Sequence, residues 1–134
     1  MRYITHNGKL LAVVFRLEEC PTSCPETLVL TPPDWGLQIC LLSRCRDYHV
    51  RPHTHVRERP LGEACEMLLV LRGRVRVVLY DEGAPVEELV LSSGEGIVMR
   101  CGHEVTILED SQILEVKEGP YPGPDRDKIW LKER

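Results

Sequence analysis

The chain has 134 residues and a mass of 15.3 kDa, enough for one domain with a buried core. Hydrophobic residues make up 43% and charged residues 28% of the sequence, which argues against a disordered chain. The net charge of −4 gives no electrostatic basis for binding nucleic acid, and no apolar run approaches the roughly 20 residues of a membrane-spanning helix. The N-terminus lacks the apolar segment of a signal peptide, so we expect a cytoplasmic protein.

The first predicted element is a β-hairpin over residues 2–17. Its two apolar segments are separated by His6-Asn7-Gly8, and both Asn and Gly tolerate the positive φ of a tight hairpin turn. Residues 18–26 contain two prolines and two cysteines and are predicted to be a connector.

Beyond the connector, short apolar runs alternate with turn residues, and no window of about 11–18 residues has the period of an amphipathic helix. The predicted strands lie at 27–31, 35–46, 47–55, 66–71, 74–80, 86–91, 97–100, 105–108 and 113–117. After a tail rich in Pro and Gly, a last short segment is expected at 127–131. Short strands at this spacing are typical of an all-β sandwich or barrel.

Six cysteines are a high count for a chain of this length. Since no secretory signal precedes them, we expect free thiols rather than disulfides. Cys20 and Cys24 form a Cys-x₃-Cys pair with no second Cys or His pair nearby in the sequence, which leaves a structural zinc site as the weaker alternative.

A polar pattern precedes the central apolar run. On a regular strand, the residues that share one face are Asp47, His49, Arg51, His53 and His55. Such a face is unfavourable in a core unless it lines a metal or a wet pocket. Glu66 opens the next strand, and imidazoles and a carboxylate that converge from neighbouring strands suit a divalent transition metal.

Arg51 is predicted to point the same way as His53. Its guanidinium could hold a carboxylate, phosphate or hydroxyl group of a substrate. A surface arginine at the end of the strand is the alternative interpretation.

These residues resemble the motifs of the cupin superfamily. His53-Thr54-His55, Glu66 and Gly73 are similar to the first motif, G-x₅-H-x-H-x₃₋₄-E-x₆-G. Gly94, followed after five residues by Arg100-Cys101-Gly102-His103, resembles part of the second, G-x₅-P-x-G-x₂-H-x₃-N. The run Glu-Val-Lys-Glu-Gly-Pro-Tyr at 115–121 is similar to the end of WbuC-type cupin metalloproteins, which are associated with bacterial surface-polysaccharide gene clusters.

The first motif departs from the superfamily pattern in its spacing. Ten residues separate His55 from Glu66, where the motif has three or four. A loop can absorb this insertion, because closure entropy rises slowly with loop length. Glu58 and Glu63 lie in the insertion and are alternative ligands, but neither has the six-residue spacing to a glycine.

The second motif is shortened. Strict alignment on Gly102 places Val105, which cannot bind a metal, at the position of the histidine. His103 lies two residues earlier and therefore on the same strand face, so it is the predicted ligand.

The resemblance implies a single cupin barrel of the double-stranded β-helix or jelly-roll type over residues 1–134. Its core would span 36–118, with an N-terminal β extension at 1–35 and a Pro/Gly-rich tail at 119–134. It also implies one divalent transition metal, Zn, Fe, Mn or Ni. The implied ligands are His53, His55, Glu66 and His103.

The implied function is a metal-dependent enzyme acting on a small polar molecule, with sugar-related compounds as one class and the reaction unassigned. Three imidazoles and one carboxylate leave coordination positions open, as a catalytic or ligand-binding site requires. A non-enzymatic metal or small-molecule binder is the alternative, and a metal-free cupin is a further one. The superfamily also implies a homodimer.

Overall fold

Strands dominate the computed structural model, which describes residues 1–56, 66–99, 101–120 and 123–132. The strands are β1 Arg2–His6, β2 Lys9–Val14, β3 Glu26–Val29, β4 Leu37–Arg44, β5 His49–His55, β6 Glu66–Asp81, β7 Ala84–Ser92, β8 Gly96–Met99, β9 Gly102–Glu118 and β10 Lys128–Trp130. A turn of 3-10 helix covers Leu17–Glu19, and the short helix α1 covers Pro124–Asp127. None of the helices in the described ranges has the length and apolar character needed to cross a membrane. The predicted all-β class is confirmed.

The N-terminal hairpin forms a two-stranded sheet of its own. β1 and β2 pair antiparallel, and the turn between them places Asn7 at φ 49° and Gly8 at φ 74°. The Asn-Gly pair therefore adopts the positive φ values that its sequence predicts. The predicted N-terminal hairpin is confirmed.

Two long strands, β6 and β9, pair with each other and with most of the other strands of the sandwich. They pair antiparallel along most of their length, from Glu66↔Lys117 to Tyr80↔Gly102. The other edge of β9 pairs with β5 near its start and with β4 near its end. The other edge of β6 pairs with β8 and then with β7.

The sequence predicts two separate strands where the structure has the single strand β6. The predicted runs 66–71 and 74–80 are joined through Gly73, which lies at φ 94° among several register shifts against β9. Such bulges bend a strand without ending it. Likewise, the predicted strands 105–108 and 113–117 are parts of the single strand β9.

The main core lies between the sheets, and a smaller one lies under the N-terminal extension. Alternate residues of β6, such as Val75 and Val77, are fully buried and pack with Leu42 of β4. Leu41, next to Leu42, faces the smaller cluster with Cys20. β4 is thus buried on both faces, which explains its continuous apolar run.

The cysteine prediction is wrong for two residues. Cys24 and Cys45 form a disulfide that joins the connector to the end of β4, with Cα atoms 5.4 Å apart. The Cys20/Cys24 pair therefore cannot supply two thiolates to zinc. Cys20 and Cys40 are buried free thiols and Cys101 is partly exposed, while Cys65 lies outside the described residues.

Candidate metal centre

The two histidines of the first motif lie on β5, beside a bulge. His53 pairs with His103 of β9 and Val50 pairs with Val105, so β5 has one extra residue in the interval. Pro52 lies there, and proline has no N–H to donate to a ladder. The bulge reverses the side-chain alternation.

The regular polar face predicted from Asp47 to His55 is therefore wrong. Asp47 lies before β5 in a turn, with φ 68°. The bulge aligns His53 with Val50 rather than with His49. Arg51 is exposed, whereas His53 and His55 are buried.

The structure brings the four predicted ligands together. One ligand atom from each of His53, His55, Glu66 and His103 lies within 4.8 Å of those of the others, and all four residues are buried. Glu66 Oε2 lies 2.6 Å from His55 Nε2 and 3.5 Å from His103 Nε2. The alternatives Glu58 and Glu63 fall outside the described residues.

Each histidine is oriented through its Nδ1 atom. His53 Nδ1 donates to the backbone oxygen of Arg51 at 2.8 Å, and His103 Nδ1 donates to that of Cys101 at 3.0 Å. A carbonyl oxygen only accepts, so Nδ1 carries the proton and Nε2 presents a lone pair. Metal-binding histidines are held in this way by an acceptor behind the ring.

The atoms that face the centre lack hydrogen-bond partners. His55 Nε2, His103 Nε2 and Glu66 Oε2 are buried, and none of them makes a hydrogen bond of acceptable geometry within the described part of the chain. Buried polar atoms left unsatisfied are costly and rare. Because these atoms are acceptors grouped around one point, the residues fit a divalent cation that all of them could bind.

The electrostatics favour positive charge at the centre, where a proton on His55 Nε2 and a metal ion would compete for the same lone pair. Burial, together with the charge of His103, lowers the pKa of His53 to about 3, so its imidazole is neutral. Burial disfavours charge on His55 too, but the carboxylates of Asp127 and Glu66 outweigh it and raise the pKa of His55 to about 9. Burial opposes ionisation of Glu66, but the neighbouring His103 and His55 hold the pKa of Glu66 well below its ordinary value.

A second set of charged residues lies behind the ligands. Asp127 Oδ2 accepts hydrogen bonds from His55 Nδ1 at 3.2 Å and from Lys117 Nζ at 3.0 Å. Lys117 Nζ is also 4.0 Å from Glu115 Oε1. Burial and the charge of Glu66 raise the pKa of Glu115 to about 7.

Sequence reasoning assigned no role to these three residues. The spacing of Glu115 and Lys117 could have placed both on one face of a strand, because strand side chains alternate. Asp127 gave no such signal, since it follows a Pro/Gly-rich tail and reaches the site only through tertiary structure.

A cavity of about 230 Å³ is lined by three of the four residues, His53, Glu66 and His103. Part of its wall is apolar, formed by Leu42, Leu68, Val105, Ile107 and Ile113. Its lining also includes Arg51, Lys128 and Trp130. The guanidinium of Arg51 lies 4.4 Å from the Trp130 ring centroid and Lys128 Nζ lies 5.7 Å from it.

Solved structures share this architecture. A cupin superfamily protein from Desulfitobacterium hafniense is 14% identical, with a TM-score of 0.55 over 69% of this chain and 75% of that one. KdgF from Halomonas is 24% identical, with a TM-score of 0.54 over 69% of this chain and 76% of that one. Bacillus subtilis oxalate decarboxylase, described with Mn(II) centres, is 15% identical, with a TM-score of 0.57 over 72% of this chain and 24% of that one.

The chain has the cupin fold. This confirms the fold that the sequence motifs predicted. No protein-family model matches the sequence, and no curated protein does either. The narrower likeness to WbuC-type proteins stays a prediction.

Proposed function

We propose that this protein binds one divalent transition metal through His53, His55, Glu66 and His103 and acts on a small polar molecule in the adjoining cavity. The observation that carries the proposal is the convergence of buried acceptor atoms without partners on one point. A metal ion that accepts more than four ligands would keep further coordination positions open there for a small molecule.

The metal, when bound, would supply Lewis-acid polarisation of a substrate oxygen or an activated water. The protein itself would supply the geometry: backbone carbonyls hold His53 and His103, and the apolar part of the cavity wall limits water around the reacting group. Zn, Fe, Mn and Ni all suit nitrogen and oxygen ligands. Mn(II) is the first metal to test, because one structural neighbour is described with Mn(II) centres.

Arg51 is the proposed substrate-binding residue. It lines the cavity, with its guanidinium stacked on Trp130 at 4.4 Å. A fork of donors held in this way can bind a carboxylate or phosphate through two hydrogen bonds. Lys128, which lines the same cavity, adds positive charge. A small molecule with an anionic or hydroxyl-rich group fits this lining.

The first experiment is elemental analysis of purified protein after incubation with each candidate metal. We expect about one metal per chain in the wild type and loss of metal in His53→Ala and His103→Ala. His49→Ala is the matched control, because His49 lines the same cavity but is not among the four converging residues. Metal lost in His53→Ala but kept in His103→Ala would reduce the site to three residues. No metal in the wild type after reconstitution would refute the proposal.

A non-enzymatic metal and small-molecule binder is the second candidate, because no reaction follows from the fold. A screen of small carboxylates, phosphates and sugars on the metal-loaded protein, read by thermal shift and by turnover, separates the two. Conversion supports the enzyme, and binding without conversion supports the binder. Arg51→Gln should weaken binding of an anionic ligand about tenfold or more, whereas Arg74→Gln should not, since Arg74 is exposed and pairs with Glu109.

We also propose that the chain is a single cupin domain, 1–134, that forms a homodimer and resides in the cytoplasm. β3 and β10 end the path of paired strands among the described residues, and each exposes an apolar side chain, Val29 and Ile129. Edge strands of this kind are commonly covered by a partner. Sedimentation equilibrium would test the dimer: a monomer at micromolar concentration would contradict it.

A further inference from the structure

The C-terminal segment 123–132 is built into the strand that carries two of the proposed ligands. β10 pairs antiparallel with β5, so that Lys128 lies opposite His55 and Trp130 lies opposite His53. Two further backbone hydrogen bonds hold the segment at its ends: Val56 N donates to the oxygen of Asp127, and Leu131 N donates to that of Pro52. The histidine strand is therefore held between β9 and β10.

Asp127 is buried, unlike its two neighbours in the short helix α1. Asp125 and Arg126 of the same short helix are exposed, but Asp127 is only 1% exposed. Its Oδ2 atom accepts hydrogen bonds from His55 Nδ1 and from Lys117 Nζ. A buried carboxylate is costly unless it is paired and hydrogen-bonded, and His55 and Lys117 are two such partners of Asp127.

The three histidines are not oriented in the same way. The Nδ1 atoms of His53 and His103 donate to backbone oxygens two residues earlier in the chain. These contacts are local and form with the strands. His55 instead depends on a side chain that is distant in sequence and arrives with the C-terminal segment.

We propose that Asp127, itself held by Lys117, is the positioning residue for His55, and that the metal centre is complete only when the C-terminal segment is docked. This inference rests on the proposed metal binding. The carboxylate keeps the proton on Nδ1, directs the Nε2 lone pair at the centre and makes that nitrogen more basic. Without it, the His55 ring can rotate or carry its proton on Nε2, where a metal cannot bind.

The test measures Co(II) affinity and the Co(II) absorption spectrum in the full-length protein. Asp127→Leu removes the acceptor at similar side-chain size and should weaken Co(II) binding about 10–100-fold, with altered visible bands because the coordination geometry changes. Asp127→Asn keeps an acceptor oxygen but loses the charge, so we expect a smaller loss of about threefold or more. Asp125→Leu, on the same helix but exposed, should bind Co(II) like the wild type.

The outcomes separate this inference from the proposed function. A wild type that binds no Co(II), Mn(II) or Zn(II) refutes the metal site itself. A wild type that binds, together with Asp127 variants of unchanged affinity and spectrum, refutes only the positioning role. Circular dichroism checks that each variant folds. If Asp127→Leu does not fold, the test rests on Asp127→Asn. Wild-type Co(II) affinity in Asp127→Asn would then overturn the inference.

Discussion

His103 is the direct cross-strand partner of His53, with the two ring centroids 4.5 Å apart. This pairing explains how a shortened second motif still reaches the centre. A shift of two residues along β9 keeps a side chain on the same face. His103 therefore points to the same side of β9 as Val105, which occupies the position of the histidine in the motif. Val105 faces the same cavity and contributes to its apolar wall.

Metal removal should lower the stability of the fold. A ligand that binds only the folded state adds about 2.7 kcal/mol to the unfolding free energy when its free concentration is 100 times its Kd. We therefore expect urea denaturation to show a higher midpoint with saturating Mn(II) or Zn(II) than with a chelator. His53→Ala is the control, and its midpoint should not depend on metal. Equal wild-type midpoints with metal and with chelator would contradict the prediction.

The sequence predicted the fold class and the four converging residues because both depend on local patterns. Alternation and turn residues indicate strands, and the spacing of His53, His55 and Glu66 can be compared with a motif. What could not be predicted depends on tertiary structure. The bulge at Pro52 changes which residues face the centre, and Asp127 arrives from a segment that no pattern links to His55.

The disulfide was missed for a different reason. Free thiols were expected from an argument about the cellular compartment, which says nothing about the distance between two cysteines in the fold. Cys24 and Cys45 come close only because β3 pairs with β4, which brings the connector beside the end of β4. The spacing of the cysteines in the sequence does not show that these two strands pair.

Gly73 should tolerate no side chain. It lies at φ 94°, and an added Cβ would lie 2.5 Å from the backbone oxygen of Asp110 and 2.8 Å from Ser111 Cα. Gly83 also has a positive φ, 79°, but open space around it. A positive φ costs a non-glycine residue about 1–3 kcal/mol, so Gly83→Ala measures the backbone cost alone. Gly73→Ala should lower the unfolding free energy further, because its Cβ would also clash with β9. Chemical denaturation measures both, and equal losses would show that the contact with β9 does not matter.

Cys40 should resist alkylation in the folded protein. Burial, followed by the charge of Glu115, raises the pKa of the Cys40 thiol to about 11, and the thiolate is the reactive form. Iodoacetamide at pH 8.5, followed by mass spectrometry, should leave Cys40 unmodified and label the partly exposed Cys101. Rapid labelling of Cys40 without unfolding would contradict this.

The raised pKa of the Cys40 thiol also predicts a loss of stability at alkaline pH. The unfolded chain releases the Cys40 proton near the ordinary thiol pKa of 9.0, whereas the folded protein keeps it until about 11. The unfolding free energy should therefore fall as the pH rises through this interval. Cys40→Ala should show a shallower fall than the wild type between pH 9 and 11 in denaturation experiments. Parallel curves would show that other groups cause the change.

The buried hydroxyl of Tyr80 should stabilise the folded protein. Its side chain is 2% exposed, and its hydroxyl donates to Glu104 Oε2 at 2.7 Å. A hydrogen bond to a charged group contributes about 1.5–3 kcal/mol, so Tyr80→Phe should reduce the unfolding free energy by about that amount. Tyr3→Phe is the matched control: Tyr3 is 55% exposed, and surface substitutions usually change stability by less than about 0.5 kcal/mol. If urea denaturation gives equal changes for the two variants, the buried hydrogen bond does not stabilise the fold.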